Sequence, residues 1–389
     1  MTRHAGRASR ERRTVLVLWS GFPAGAQALR ALRAAGFRAV GAFPAGGHGG
    51  RSIACPWPVR YPSPVRDPDG FMTTVARLAL REAADAVLPI DEDIVRLLAE
   101  RGGELAPAVV VGPDARQYRA LSDKLALAGT ARALGLATPA TVVVDRDGAS
   151  GPLPGLPSVV KPRTSRSTEA PPRLVVTAEK RDAAVEALVA GGHAAVVQER
   201  IGGRRLIVQS VRGPGVFEHV VFEVRREWPR DAGVASLLVP APQGAAAAAA
   251  AAAARVLLDH VDYVGPSGIS FIERDGRVHV HDVNLRLGAS SAAVRHAGLD
   301  FPRRAVEVAL GLGGARFTGA VRPGTYMRLD LEGRAFLAAV RARDDGGRPG
   351  AVLRGIAAVA VARRGRLDPS PVEPFWVASR VRNRLSRRS

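Results

Sequence analysis

One hairpin constrains the fold of this chain more than any other stretch. Its outgoing strand contains the apolar run 268–272, and its turn is Asp275-Gly276, two residues that tolerate the positive φ angles of a type I′ turn. The return strand, 277–285, alternates with period two, which is typical of a strand with one buried face. The alternation predicts two faces, one with Val278, Val280, Asp282 and Asn284 and the other with His279, His281 and Val283.

Polar residues at the end of the return strand indicate a site for a cation and an anion. Asp282 and Asn284 are two residues apart, so their oxygens suit a single hard cation. Arg286 follows at the strand end, where a guanidinium reaches phosphate oxygens on that cation. The segment 288–291, Gly-Ala-Ser-Ser, offers backbone N–H groups for an anion. Taken alone, this stretch fits a half-buried strand with two hydrogen-bonded polar residues equally well.

Lysine is the informative basic residue in this sequence. The formal net charge is +20, and of 56 basic residues only Lys124, Lys161 and Lys180 are lysines. Arginine is spread along the whole chain, which favours a general compositional bias over a dedicated nucleic-acid surface. Lysine is therefore expected where a compact ammonium group is needed. Cys55 is the only cysteine, so the chain forms no internal disulfide, and we predict a reducing, cytoplasmic location.

The first hundred residues predict an open parallel α/β domain. A strand at 14–19, a helix at 27–35 and a strand at 37–43 follow the β-loop-α-β order of such sheets. Asp91 ends the next strand, and we interpret it as the N-cap of a helix at 92–101. The glycines do not form a dinucleotide fingerprint, which argues against a dehydrogenase. Residues 1–13 are interpreted as a disordered basic tail, and no stretch suits a membrane span.

Two of the lysines lie in segments with a clear local pattern. The segment 122–135, SDKLALAGTARALG, predicts a capped helix with Lys124 in its first turn. A cation there opposes the helix dipole unless an anion binds next to it. Lys161 ends the β-branched strand of LPSVVKP, and the segment 197–203, VQERIGG, ends this lobe in a predicted hinge.

Four motifs together resemble those of the ATP-grasp ligases, a family that includes carboxylate–amine ligases and proteins like carbamoyl-phosphate synthase. The motifs are SDKLALAGTARALGLATP, VVKP, VQERIGG and HDVNLR, in the family's order. The resemblance implies an ATP-grasp domain over residues 115–312, with lobes of about 115–200 and 201–312. The N-terminal α/β domain (14–114) precedes it, and a small C-terminal appendix with a basic tail (313–389) follows. The expected fold class is α/β and α+β.

The resemblance also implies a role for each residue at a motif position. Lys124 and Lys161 would contact the ATP phosphates, and Glu199 with the backbone of Arg200 and Ile201 would bind the adenine and ribose. Asp282 and Asn284 would hold magnesium, for which manganese could substitute, and Arg286 would stabilise the transferring phosphoryl group. Family enzymes activate a carboxylate as an acyl phosphate, which an amine or similar nucleophile then attacks. Small-molecule carboxylates and amines are therefore the expected partners, and a homodimer is compatible with this interpretation.

The sequence departs from the family pattern at three places. One is Asp282, a shorter side chain than the glutamate that the family usually has as its second metal-binding carboxylate. The loop 162–173, PRTSRSTEAPPR, lacks the glycines with which many relatives cover the phosphates. Ser270 stands where the family places its first metal-binding acid. A plain two-residue turn would pair Glu273 with Val278 and bring Glu273 to the Asp282 face, whereas a bulged hairpin would place Ser270 opposite Asp282. The sequence leaves both registers open.

Because of these departures, the sequence is also compatible with two other functions. The chain could be a nucleotide-binding sensor or scaffold with a degenerate metal site and little turnover. A basic nucleic-acid-binding protein is a third alternative, which the net charge alone motivates, because the sequence contains no helix-turn-helix, zinc or aromatic stacking signature.

Overall fold

The computed structural model describes residues 12–19, 23–45, 55, 59–164, 171–228, 233–328, 331–332 and 365–367. These residues form three sheets with helices packed against them. The basic tail 1–11 and most of the C-terminal appendix lie outside the described residues. No helix in the described part of the chain is long and apolar enough to cross a lipid bilayer.

The first sheet is parallel throughout, with strand order β3-β2-β1-β4-β5. Its elements are β1 (Thr14–Leu18), α1 (Pro23–Ala34), β2 (Arg38–Pro44), β3 (Val59–Tyr61), α2 (Pro68–Arg81), β4 (Ala86–Pro89), α3 (Glu92–Arg101) and β5 (Val109–Val110). The predicted open α/β sheet is confirmed. The strand order reverses between β1 and β4, and sheets of this kind usually bind ligands at the carboxyl ends of the strands at such a point. Asp91 caps α3 as predicted, because its side chain accepts a hydrogen bond from the Asp93 amide.

The second sheet is antiparallel, with order β7-β6-β10-β8-β9. Its region contains α4 (Ala115–Ser122), α5 (Lys124–Ala133), β6 (Thr141–Asp145), β7 (Gly148–Ala149), β8 (Ser158–Pro162), β9 (Arg173–Val175), α6 (Ala178–Ala190) and β10 (Ala195–Glu199). The helix predicted over 122–135 begins at Lys124, while Ser122 ends the preceding helix. Asp123 separates the two helices, since its carboxylate accepts hydrogen bonds from Leu125 and Ala126 and caps α5.

The third sheet has the order β15-β14-β11-β12-β13-β16-β17. Its region contains β11 (Arg204–Gly213), β12 (Val216–Trp228), β13 (Val234–Pro240), α7 (Ala245–His260), β14 (Gly265–Arg274), β15 (Arg277–Asn284), α8 (Ser291–His296), α9 (Phe301–Ala309), β16 (Thr325–Met327) and β17 (Gly365–Leu367). Helix α7 begins with ten consecutive alanines, 245–254, which have the highest helix propensity of any residue. Its buried face packs with one side of the sheet, including Phe271 and Val280, in a single apolar core.

The hairpin of β14 and β15 combines both of the registers that the sequence left open. Asp275 (φ 52°) and Gly276 (φ 77°) form the predicted two-residue turn, and Glu273 pairs with Val278. Farther from the turn the register shifts by one residue, so that Ser270 lies opposite Asp282. Glu273 instead forms an ion pair with Arg204, 3.2 Å from its Nε.

The extra residue of this bulge is His281, which lies between the partners of Phe271 and Ser270. The bulge makes the predicted division of faces wrong, because it interrupts the period-two alternation. Val280 and Val283, predicted on opposite faces, are both buried in the core beneath α7. His281 and Asp282 are both absent from that core, and both are close enough to Lys161 to interact with its charge.

Candidate functional site

The two motif lysines meet between the second and third sheets. Lys124 is the first residue of α5, and Lys161 lies on β8; each is only 5% exposed. The Lys124 ammonium lies 3.9 Å from Asp282 Oδ1, and the Lys161 ammonium donates to the His281 carbonyl at 3.0 Å. Lys180 lies in the exposed first turn of α6. The two motif lysines are therefore buried beside β15, whereas the third is in solvent.

Asp282 and Asn284 lie side by side at the end of β15. Asn284 Nδ2 donates to Asp282 Oδ2 at 2.9 Å. The described residues contain no group of three or more His, Cys, Asp or Glu side chains that could hold a metal ion. Asp282 and Ser270 offer a carboxylate and a hydroxyl, oxygen donors suited to magnesium if phosphate oxygens complete the coordination. The third donor, Asn284 Oδ1, already accepts a hydrogen bond from Arg286.

Arg286 has a partner that the sequence motifs did not indicate. Its Nε donates to Glu92 Oε2 at 2.6 Å, and its Nη2 donates to Asn284 Oδ1 at 3.1 Å. Glu92 lies in the first turn of α3, in the N-terminal parallel sheet region, and is 5% exposed. The hydroxyl of Tyr118 donates to Glu92 Oε1 at 3.1 Å. Burial and the Glu92 carboxylate raise the pKa of Tyr118, so its hydroxyl stays protonated.

The predicted hinge connects the second and third sheets. Glu199 ends β10, where its carboxylate accepts a hydrogen bond from the Ala140 amide at 3.1 Å. Arg200 donates to the carbonyl of Ile201, and the Ile201 side chain is buried. The chain then bends at Gly203, which has a φ of 156°. A Cβ atom at this position would lie 2.2 Å from the Glu273 carbonyl oxygen. Only glycine allows this close approach.

The lysine side of the site is strongly positive. Burial, and then the charge of Lys124, lower the pKa of Lys161 to about 7. Burial alone would raise the pKa of Asp282, but Lys124 and Lys161 lower it below its usual value. Burial and Lys161 lower the pKa of His281 to about 3, so its imidazole is neutral. The Asp282 carboxylate is therefore ionised among several cationic groups.

Two further residues of this region were missed by the sequence interpretation. Arg205, on β11, is partly buried and forms an ion pair with Glu227. Burial lowers the pKa of Arg205, and the charge of Asp282 opposes this shift. Nothing in its local sequence distinguishes it from the many other arginines. His281 was expected away from the Asp282 face, but the bulge brings it near Lys161, and its Nε2 has no hydrogen-bond partner among the described residues.

A small cavity opens elsewhere on the third sheet. It has a volume of about 170 Å³, and its walls combine the apolar side chains of Phe222 and Ala297 with Arg322 and His296. Phe222 pairs with Ile207, and Ile207 pairs with Ser270. Ser270 in turn pairs with Asp282. Phe222, at the cavity, is therefore three strand spacings, or about 14 Å, from Asp282.

Comparisons with known proteins identify the fold. No protein-family model matches the chain, and no curated protein matches it. Biotin carboxylase from Campylobacter jejuni superposes with a TM-score of 0.63 and 16% identity, over 81% of this chain and 74% of that one. L-amino acid ligase from Bacillus licheniformis gives a TM-score of 0.65 and 16% identity, over 82% and 79%. N5-carboxyaminoimidazole ribonucleotide synthetase from Thermus thermophilus gives 0.58 and 22% identity, over 80% and 81%.

These similarities confirm the predicted fold class, which this chain shares with the three solved enzymes. The matches extend over about four fifths of the chain. Sequence identity is low throughout, and a shared fold does not determine a shared function.

Proposed function

We propose that this protein is an ATP-dependent ligase that activates a carboxylate as an acyl phosphate for attack by an amine or similar nucleophile. The observation that carries the proposal is the burial of Lys124 and Lys161 beside Asp282. Burying two ammonium groups is unfavourable, and a bound anion relieves that cost. The polyphosphate of ATP is such an anion, and the ATP-grasp fold supports its choice over other anions.

The proposed nucleotide orientation follows from the positions of the site residues. Lys124 and Lys161 would hold the phosphates, and the hinge backbone at Arg200 and Ile201 would bind the adenine together with Glu199. Asp282 and Asn284 would hold magnesium, which supplies positive charge to the phosphates when it is bound. Manganese offers the same preference for oxygen ligands. The site residues act by binding and charge neutralisation, which is what phosphoryl transfer requires of a protein.

The proposed reaction has two balanced steps. A carboxylate oxygen of the substrate attacks the γ-phosphorus of ATP, the bond to the β-phosphate oxygen breaks, and ADP leaves. The amine nitrogen then attacks the acyl carbon, the bond to phosphate breaks, phosphate leaves and the amine loses a proton. Arg286 would stabilise the negative charge of the transferring phosphoryl group in the first step.

We also propose that the cavity beside α8 binds one end of the organic substrate. Arg322 offers a guanidinium for a carboxylate, and Phe222 with Ala297 offers an apolar wall. A volume of about 170 Å³ fits a molecule of amino-acid size better than a macromolecule. The distance of about 14 Å to Asp282 requires an elongated substrate, or two substrates placed end to end.

Hydroxylamine trapping tests the ligase proposal. Purified protein with Mg-ATP, hydroxylamine and pools of small carboxylic acids should release ADP and form hydroxamates, because hydroxylamine attacks an acyl phosphate in place of the amine. Lys161→Ala should lose this activity, and Lys180→Ala, a surface lysine, should keep it. ADP release without hydroxamate in any pool would contradict the acyl phosphate step.

The second candidate function is a nucleotide-binding protein with little turnover. It is favoured by one observation: Ser270, which cannot supply a negative charge, lies opposite Asp282. Tight Mg-ATP binding with no ADP release across all carboxylate and amine pools would favour this function over a ligase.

A further inference from the structure

We propose that Glu92 is a positioning residue, whose carboxylate in the N-terminal region orients Arg286 for phosphoryl transfer. This inference rests on the proposed function of the site. It differs from that proposal because it assigns a role in the reaction to a residue outside the predicted ATP-grasp domain, in the parallel sheet region that precedes it.

The physical basis is a continuous chain of hydrogen bonds across the interface between the first and third sheets. Tyr118 donates to Glu92 Oε1 at 3.1 Å, and Arg286 Nε donates to Glu92 Oε2 at 2.6 Å. Arg286 Nη2 donates to Asn284 Oδ1 at 3.1 Å, and Asn284 Nδ2 donates to Asp282 Oδ2 at 2.9 Å. Each link fixes the orientation of the next side chain, so Glu92 reaches Asp282 through two intermediates.

The ion pair of Glu92 and Arg286 is protected from solvent. The two side chains are 5% and 17% exposed. A charge-assisted hydrogen bond is strong in such surroundings, and either partner would be a poorly compensated buried charge without the other. Glu92 also lies in the first turn of α3, where the helix dipole favours a negative charge. The contact is therefore a fixed feature of the fold.

The geometry leaves part of Arg286 available for a ligand. A guanidinium has five N–H groups. Three of them are used, because Nε donates to Glu92, Nη2 donates to Asn284 and Nη1 donates to the Leu287 carbonyl at 3.4 Å. The remaining N–H groups are held in a set direction by these contacts. Preorganised donors stabilise developing charge without reorganisation during the reaction.

Glu92 also sets the direction of the Asn284 amide. Asn284 Oδ1 accepts from Arg286 while Nδ2 faces Asp282, so the amide oxygen points toward the arginine side of the site. Without the Glu92 carboxylate, the Arg286 guanidinium would be able to turn toward the phosphates of bound ATP before the reaction begins. The preference of the site for the transferring phosphoryl group over ATP would then decrease.

The experiment compares ATP with a mimic of the transferring phosphoryl group, ADP with aluminium fluoride and magnesium, by calorimetric titration. Glu92→Gln keeps the size of the side chain and removes its charge. We expect Glu92→Gln to weaken binding of the mimic by about 100-fold, the loss that follows a misplacement of about 1 Å in an active site. Binding of Mg-ATP should change by less than about threefold, since ground-state contacts do not depend on this orientation.

Two further variants separate orientation from general damage. Tyr118→Phe removes the other hydrogen bond to the same carboxylate and should weaken the mimic by less than about tenfold. In an Arg286→Lys background, Glu92→Gln should cause no additional loss, because the two residues would act as one unit. Each variant is compared only after its thermal unfolding shows a cooperative transition like that of the wild type.

The outcomes distinguish this inference from the proposed function. Equal binding of the mimic by the wild type and folded Glu92→Gln overturns the inference and leaves the ligase proposal intact. Equal losses for ATP and the mimic would show a merely structural role for Glu92 and also overturn it. A wild-type protein that binds neither ATP nor the mimic overturns both proposals. If Glu92→Gln does not fold, Glu92→Asp, which retracts the charge by one methylene, replaces it with the same two readouts and the same deciding outcomes.

Discussion

The two sides of the candidate site differ in how their charges are balanced. On the lysine side, Lys124 and Lys161 are buried beside the carboxylate of Asp282. On the side of the N-terminal sheet, Glu92 and Arg286 are joined one to one at 2.6 Å. The second arrangement is complete without a ligand. In the first, burial and then the charge of the neighbouring Lys124 lower the pKa of Lys161 to about 7, so its ammonium form is disfavoured in the free protein.

This difference suggests a division of roles between the two sides. The lysine side would provide binding energy, because an anionic ligand relieves the unfavourable burial of its ammonium groups. The Glu92 side would provide orientation, because its hydrogen bonds hold Arg286 and Asn284 before any ligand arrives. We therefore expect substitution of the lysines to have the largest effect, substitution near the metal ligands an intermediate one, and proton uptake on ATP binding the smallest.

Lysine substitution should have the largest effect on nucleotide affinity. We expect Lys161→Ala and Lys124→Ala each to weaken Mg-ATP binding by about 10- to 100-fold, which corresponds to the loss of a charged hydrogen bond worth about 1.5–3 kcal/mol. Lys180→Ala is the matched control and should bind like the wild type, since Lys180 is exposed on α6. Calorimetric titration measures all three. Equal losses in all three variants would show that the lysines act through overall charge.

The metal ligands should give an intermediate effect. Ser270→Glu would place a second carboxylate opposite Asp282, and we expect it to tighten magnesium binding in the presence of ATP by about tenfold, a common size of effect near metal sites. Glu273→Ala should leave magnesium affinity nearly unchanged, because Glu273 pairs with Arg204. Magnesium titrations of ATP binding test both variants. A large loss in Glu273→Ala would contradict the bulged register.

Proton uptake should give the smallest effect. The pKa of Lys161 is lowered from 10.5 to about 7 in the free protein, so its side chain is mostly neutral at pH 8. A bound polyphosphate favours the ammonium form and raises this pKa. ATP binding at pH 8 should therefore take up close to one proton, and the uptake should decrease below pH 7. Calorimetry in buffers of different ionisation enthalpy measures it, and Lys161→Ala should remove most of it.

Local patterns in the sequence predicted much of the fold and part of the site. The turn at Asp275-Gly276 and the helix of ten alanines were recognisable because turn geometry and helix propensity act over a few residues. Lys124 and Lys161 stood out because the chain otherwise uses arginine. The bulge at His281 was not predicted, although the apolar residues Val280 and Val283, three apart, were a signal that the period-two alternation breaks.

The Glu92 contact could not be predicted from local patterns. Glu92 and Arg286 are 194 residues apart, and their pairing depends on how the parallel sheet packs against the third sheet. The run of three acids, 91–93, at the carboxyl end of β4 was a weak signal, because the sequence explained only its first member, as a helix cap. Long-range ion pairs of this kind follow from domain packing, which periodicity and propensity do not encode.

Thermal unfolding with and without Mg-ATP directly tests whether the cleft between Lys124, Lys161 and Asp282 binds the nucleotide. A nucleotide at a hundred times its dissociation constant should stabilise the folded protein by about 2.7 kcal/mol and raise its melting temperature. Lys161→Ala should show a smaller shift at the same nucleotide concentration, about 0.4–1.4 kcal/mol for a 10- to 100-fold loss of affinity. Lys180→Ala should shift like the wild type. A cooperatively folded wild-type protein whose melting temperature is unchanged by saturating ATP and magnesium would contradict the account of this cleft as a nucleotide site.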